Sequence, residues 1–234
     1  RGDEPVMSGE YDTTRWLFAD QLGPHFDDGG PLLLIEARSV FERRIYHRQK
    51  AHLILSALHH RAEEEPERVS LIQSATYAEG VQIYRDSGHA NLDAVAGTSR
   101  PARRLVESLG MSAIHPERGW FTSPGEFQAW VNGRGDKRLL MEDWYRGVRA
   151  RHDVLMTDGK PEGGKWNFDH DNRLPPPKGE THLPLPPPWQ PEEDDIDARV
   201  RQQLDEWEAD GVRFLGNDGQ RRFAVTRSEA VTAV

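Results

Sequence analysis

Short uninterrupted apolar runs alternate along this chain with segments in which apolar residues return every three or four positions. The first run, Trp16 to Ala19, passes directly into Asp20-Gln21 and a Gly23-Pro24 break. The second, Leu32 to Ile35, is closed by Glu36. Continuous apolar runs bounded by Gly and Pro predict strands buried on both faces. Between Ile45 and Ala62, Ala51, Ile54, Leu55, Leu58 and Ala62 share a helical stripe, which the acidic stretch before Pro66 ends. Val69 to Gln73 predicts a further strand, and Tyr77, Val81 and Tyr84 a helix despite Gly80. Leu92 to Ala96 predicts a strand, Gly97-Thr98-Ser99 a turn, and Pro101 to Leu109 a helix. That last helix has Pro in its first turn and Gly110 just past its end. "MSAIHPE" supplies a last short strand. Strand and helix alternate throughout, so the fold class is α/β, a doubly wound, Rossmann-like parallel sheet of about five strands with flanking helices.

Beyond this pattern, "SPGEFQAWVNG" and "RLLMEDWYRGVRARHDVLM" predict two helices. Phe127, Trp130 and Val131 line one, and Leu140, Trp144, Val148 and His152 the other. The α/β domain is thus expected over 15–156, after a loose polar leader over 1–14. Residues 157–195 lack periodicity, and eight of the chain's sixteen prolines fall between Pro175 and Pro191. Such composition predicts an extended connector without a core of its own. Ile196, Val200, Leu204 and Trp207 then define one more amphipathic helix. Thr226 and Glu229 form a capping-box pair close to Val234, so 196–234 reads as a connector helix followed by the start of a further helical domain. On this view Glu192 to Val234 packs poorly on the α/β domain and is mobile or borrowed by a neighbouring molecule.

Composition narrows the chemistry. With 39 acidic against 30 basic residues the net charge is −9, which argues against nonspecific nucleic-acid binding by this segment. The sequence has no Cys, so disulfides and thiolate metal sites within it are excluded. No apolar run approaches a membrane span, and the cytoplasm is the default compartment. Phosphate-binding glycine loops, HExxH and supported nucleophile–base sets are also missing, so this chain by itself is not expected to be catalytic.

In an open parallel sheet, ligands bind beyond the carboxyl ends of the strands. The candidate residues there are Asp20, Gln21, Glu36 and the Gly97-Thr98 turn, joined by His47, Lys50 and Ile54 from the first turns of the long helix. Carboxylates and an amide suit hydroxyl and ring N–H partners better than phosphate. The competing readings are that Asp20 caps a turn or a helix, that His47 and Lys50 are solvated, and that Ile54 is ordinary core. In "KWNFDHDNR", a metal site from Asp169, His170 and Asp171 is outweighed by a structural role, with Trp166 and Phe168 pinning the connector to the globule. His59 and His60 read as a solvated helix end.

The stretches "FADQLGPHF", "LLIEARS", "YHRQKAHLILSALHHRAEE", "FTSPGEFQAWVNG", "LMEDWYRGVR", "GGKWNFDHDNR" and "RRFAVTRSEA" occur in an order that resembles the bacterial photolyase-related proteins. These are the iron–sulfur branch of the cryptochrome/photolyase family. The chain departs from the family pattern at Ala19, where Gly is usual, and around Tyr77 to His89. The resemblance implies an N-terminal light-harvesting domain holding 6,7-dimethyl-8-ribityllumazine or a related antenna at Asp20, Gln21, Glu36, His47, Lys50, Ile54, Gly97 and Thr98. It also implies a C-terminal helical domain of the same protein with FAD, a [4Fe–4S] cluster and the DNA-lesion pocket. DNA would then be met only through the full-length protein, a photolyase of the (6-4) type or a cryptochrome-like photoreceptor. The alternative is a stand-alone nucleotide- or small-ligand-binding α/β module that recruits a partner through its C-terminal helix.

Overall fold

The two apolar runs lie side by side in the computed structural model, which describes residues 12–170, 173, 175, 177–179, 182, 185 and 187–234. In chain order the elements begin with β1 (Thr14–Leu17), β2 (Leu32–Ala37), α1 (Ser39–Arg43), β3 (Tyr46–His47) and α2 (Arg48–Glu64). There follow β4 (Val69–Ser74), α3 (Tyr77–Asp86), β5 (Leu92–Val95), α4 (Arg100–Ser108) and β6 (Ala113–His115). The remainder is α5 (Pro124–Arg134), α6 (Met141–His152), β7 (Met156–Thr157), β8 (Lys160–Pro161), α7 (Asp195–Ala209), β9 (Phe214–Leu215) and α8 (Arg227–Thr232). Of the expected leader, residues 1–11 lie outside the described set, and Thr14 is already a buried residue of β1.

Five parallel strands form one sheet in the order β4-β2-β1-β5-β6, the expected doubly wound arrangement. Every residue of β2 is buried, because side chains leaving both faces of this inner strand meet helices. Leu33 and Ile35 pack with Trp16, Val81, Tyr84 and Val106 on the α3/α4 face. Leu32 and Leu34 pack with Leu17, Leu58, Val69 and Val95 on the α2 face.

The segment after the connector departs from its expected looseness. Ile196, Val200, Leu204 and Trp207 are buried against Phe41, Ala51 and Leu55, so the stripe of α7 faces α2 and not water. α2 is therefore covered on two sides. Its second contact face carries Arg48, His52, Ser56 and His60, spaced by four residues and all buried. His52 Nε2 lies 2.8 Å from Asp197 Oδ1, Ser56 Oγ donates to the same oxygen over 3.1 Å, and His60 Nε2 is 3.0 Å from Asp194 Oδ2. The expected solvated histidine pair is thus corrected: His60 is buried, and His59 reaches a strand carboxylate. Isolated, a run such as "LHH" near a helix end reads as surface; the carboxylates that meet it arrive from 23 residues away for His59 and 134 for His60.

The same interface anchors the chain's last elements. Arg221, 1% exposed, donates to Asp197 Oδ2 over 3.0 Å and to both oxygens of Glu229. Thr226 Oγ1 accepts from the Glu229 amide over 3.1 Å, as the capping-box spacing predicts. The short helix α8 is held by this arginine, since six residues are too few to be stable alone.

Contacts group the described chain into two compact units. One comprises the described residues up to Arg118 with Pro188–Val234, and the other is Gly119–Pro187. In the second, Phe127 and Trp130 of α5 meet Trp144 of α6 at ring separations of 5.3 and 5.2 Å, on the expected faces. Leu140 is instead the exposed residue that precedes α6. Arg149 donates to the carbonyls of Val154, Leu155 and Trp166, tying the start of the connector back to α6. Asp171 of the metal reading lies outside the described residues, and no cluster that could hold a metal ion occurs among those described. Nor is any described helix long and apolar enough to cross a membrane.

Candidate functional site

The chain runs from β1 outward through β2 to β4, then returns and runs from β5 to β6. The carboxyl ends of β1 and β5 therefore diverge, and the switch point lies between them. Four predicted residues meet there. Gln21, 1% exposed, accepts from the Phe18 amide over 3.2 Å and reaches the carbonyls of Val95 and Ala96. Its amide is thus committed to joining the two strand ends. Asp20 is exposed and accepts from Thr98 Oγ1 over 3.1 Å. Gly97 is needed because the turn presses on α4: a Cβ there would stand 2.4 Å from the Ala102 Cβ. Ser99 caps α4 by accepting from the Ala102 amide.

Beneath Asp20, Trp16, Phe18 and Tyr77 form a cluster with ring separations of 4.6 to 5.5 Å. Burial and then the charge of Asp20 push the Tyr77 phenol up to about 12, so it stays protonated.

Glu36 stands apart from this group. It projects from β2 toward α2 and α7, is 2% exposed, and is the one carboxylate on a strand otherwise apolar throughout. A buried carboxylate needs hydrogen-bond partners. His59 Nε2 lies 2.8 Å from Oε2, Gln73 Nε2 lies 3.3 and 3.4 Å from the two oxygens, and Gln203 of α7 donates to Oε1. Glu36, Gln73 and Gln203 line a cavity of about 250 Å³ with Arg38, Ser74, Ala75 and Trp207.

The remaining predicted residues are more dispersed. His47 caps α2 by accepting from the Gln49 amide over 3.2 Å, and Lys50 is exposed with its Nζ 5.5 Å from the Tyr46 ring centre. Ile54 is half-buried between the two apolar clusters that flank α2. The structure therefore brings Asp20, Gln21, Gly97 and Thr98 together, sets Glu36 in a separate cavity, and leaves His47 and Lys50 at the helix start. Sequence reading missed His59, Gln73, Gln203 and Trp207. The signal for Gln73 was its position on β4, which pairs in register with Glu36. Gln203 carried no local signal.

The fold is thus a doubly wound α/β body with Asp20 and Glu36 at the ends of neighbouring strands. The family model for "Deoxyribodipyrimidine photo-lyase-related protein" matches residues 15–213, and the chain belongs to that family. It is also 37% identical over 121 residues to the (6-4) photolyase of Agrobacterium fabrum (strain C58 / ATCC 33970), an alignment covering 52% of this chain and 22% of that protein.

Proposed function

We propose that this chain is the chromophore-carrying α/β part of a photolyase-type protein, holding 6,7-dimethyl-8-ribityllumazine or a related flavin-like antenna at the carboxyl edge of its sheet. Excitation would pass to FAD in a helical domain of the same protein, which would also carry a [4Fe–4S] cluster and meet DNA. The observation that supports this most is the pairing of Asp20 with Thr98 at the switch point, with buried Glu36 in its own cavity at the end of the neighbouring strand, in a chain of this family. These groups fit a neutral, hydroxyl-rich heterocycle: exposed Asp20 offers acceptors to ribityl hydroxyls, and Glu36 offers one to a ring N–H. The reading as a stand-alone module recruiting a partner through its last long helix is less well supported, because the apolar stripe of α7 is already buried on α2.

Titration of the chain with the ribityllumazine, followed by its fluorescence, tests the proposal. Asp20→Ala should weaken binding by about 1–3 kcal/mol, the range for hydrogen bonds to charged groups. Ile54→Trp, which enlarges a half-buried side chain between the two clusters that flank α2, should abolish binding. Failure of the unaltered chain to bind would refute the assignment.

A further inference from the structure

We propose that Gln73, Glu36 and Gln203 form a donor–acceptor–donor row that reads the imide edge of a planar 2,4-dione ring, with Trp207 as a wall of its site. The inference rests on the antenna reading and specifies which ring it accepts. An ionised carboxylate only accepts hydrogen bonds, so the amide ends of Gln73 and Gln203 that face Glu36 are their N–H2 ends. The row therefore presents N–H, carboxylate oxygen and N–H. The edge of a lumazine or flavin ring presents C=O, N–H and C=O, its complement.

In this structure both amides are turned onto Glu36, and His59 anchors its second oxygen. The Gln73 contacts, 3.3 and 3.4 Å and shared between the two oxygens, are the longest of the set. They are the ones most readily exchanged for a ring N–H. A carboxylate offers about four acceptor positions, so Glu36 can accept from a ligand while His59 stays in place. His59 is then a positioning residue that fixes the carboxylate plane. Trp207 of α7 lines the same cavity, which makes the helix beyond the connector part of the ligand site.

The row discriminates between two antenna classes. A 2-amino-4-oxo pterin carries an N–H2 where the dione carries C=O, which sets donor against donor at one glutamine. That mismatch should cost about tenfold in affinity, equivalent to about 1.4 kcal/mol.

The experiment displaces bound 6,7-dimethyl-8-ribityllumazine from the full chain with lumazine or with pterin, which differ only at the 2-position. Lumazine should compete at about one tenth of the pterin concentration. Gln203→Met, which keeps length and removes the donor, should bring the ratio toward one while circular dichroism still reports the folded chain. If that variant unfolds, Gln73→Met reports the same ratio away from the α7 interface. Equal competition by lumazine and pterin with the unaltered chain, or an unchanged ratio in the folded variant, overturns this inference and leaves the antenna reading standing. No binding of the ribityllumazine at all overturns both.

Discussion

Arg221 and His52 show at the residue scale how a polar interior can be stable. Asp197 is fully buried and receives His52, Ser56 and Arg221 at once. Removing one partner of such a buried pair leaves an uncompensated charge, at a cost of about 3–5 kcal/mol. Arg221→Met should therefore lower the stability measured by urea denaturation by about that amount, far more than the surface change Arg199→Met. Burial disfavours the His52 imidazolium and outweighs the attraction of Asp197, whose charge Arg221 already balances. The pKa of His52 lies below its ordinary 6.5. The unfolded chain then binds a proton at His52 that the folded chain does not, so stability falls as pH drops below about 6.5. Glu229 acts lower on the scale. Burial raises its pKa, but Arg221 and the Val225 amide outweigh burial and hold it below 4.5, so its contribution is present above 4.5 and lost as pH falls through the depressed value. Urea midpoints at pH 7.5 and 5.5 should differ for the unaltered chain. In His52→Gln the difference should shrink, by at most about 1.4 kcal/mol per pH unit for one proton.

Among the elements, α2 and α7 form the contact that holds the segment after the connector on the α/β body. Leu204 and Val200 are essentially inaccessible, and Trp207 lies 5.3 Å from Phe41. Leu204→Ala should cost about 2–5 kcal/mol through lost burial and the cavity left behind. Hydrogen exchange should show α7 protected to a similar degree as α2, where a loosely held tail would exchange within seconds. The periodicity of α7 was legible in its sequence, but its partner was not. An amphipathic stripe states only that something covers it, and Arg48, His52, Ser56 and His60 read as polar until the carboxylates of α7 stand opposite.

For the whole molecule, membership of the photolyase-related family and the sheet order agree on a doubly wound α/β body. The aligned stretch covers 22% of the related (6-4) photolyase, and repair by that protein is not thereby carried over to this chain. Blue light with added FAD and reductant should therefore produce no loss of pyrimidine photoproducts with this chain alone. Chromatographic assay of the photoproducts checks this, and light-dependent loss would assign the chemistry to this body.

The sequence by itself determined the parallel sheet and the strand ends bearing Asp20, Gln21 and Glu36, because buried strands impose continuous apolar runs whose limits are local. It also determined the Thr226–Glu229 cap, a contact three residues long. Only the tertiary structure decided that Asp20 and Thr98 meet while Glu36 joins Gln203, contacts spanning 78 and 167 residues. It alone decided that the histidines of α2 are interior. The reason is physical: a polar side chain is buried or solvated according to whether a counterpart reaches it, and local periodicity carries no record of a partner from so far along the chain.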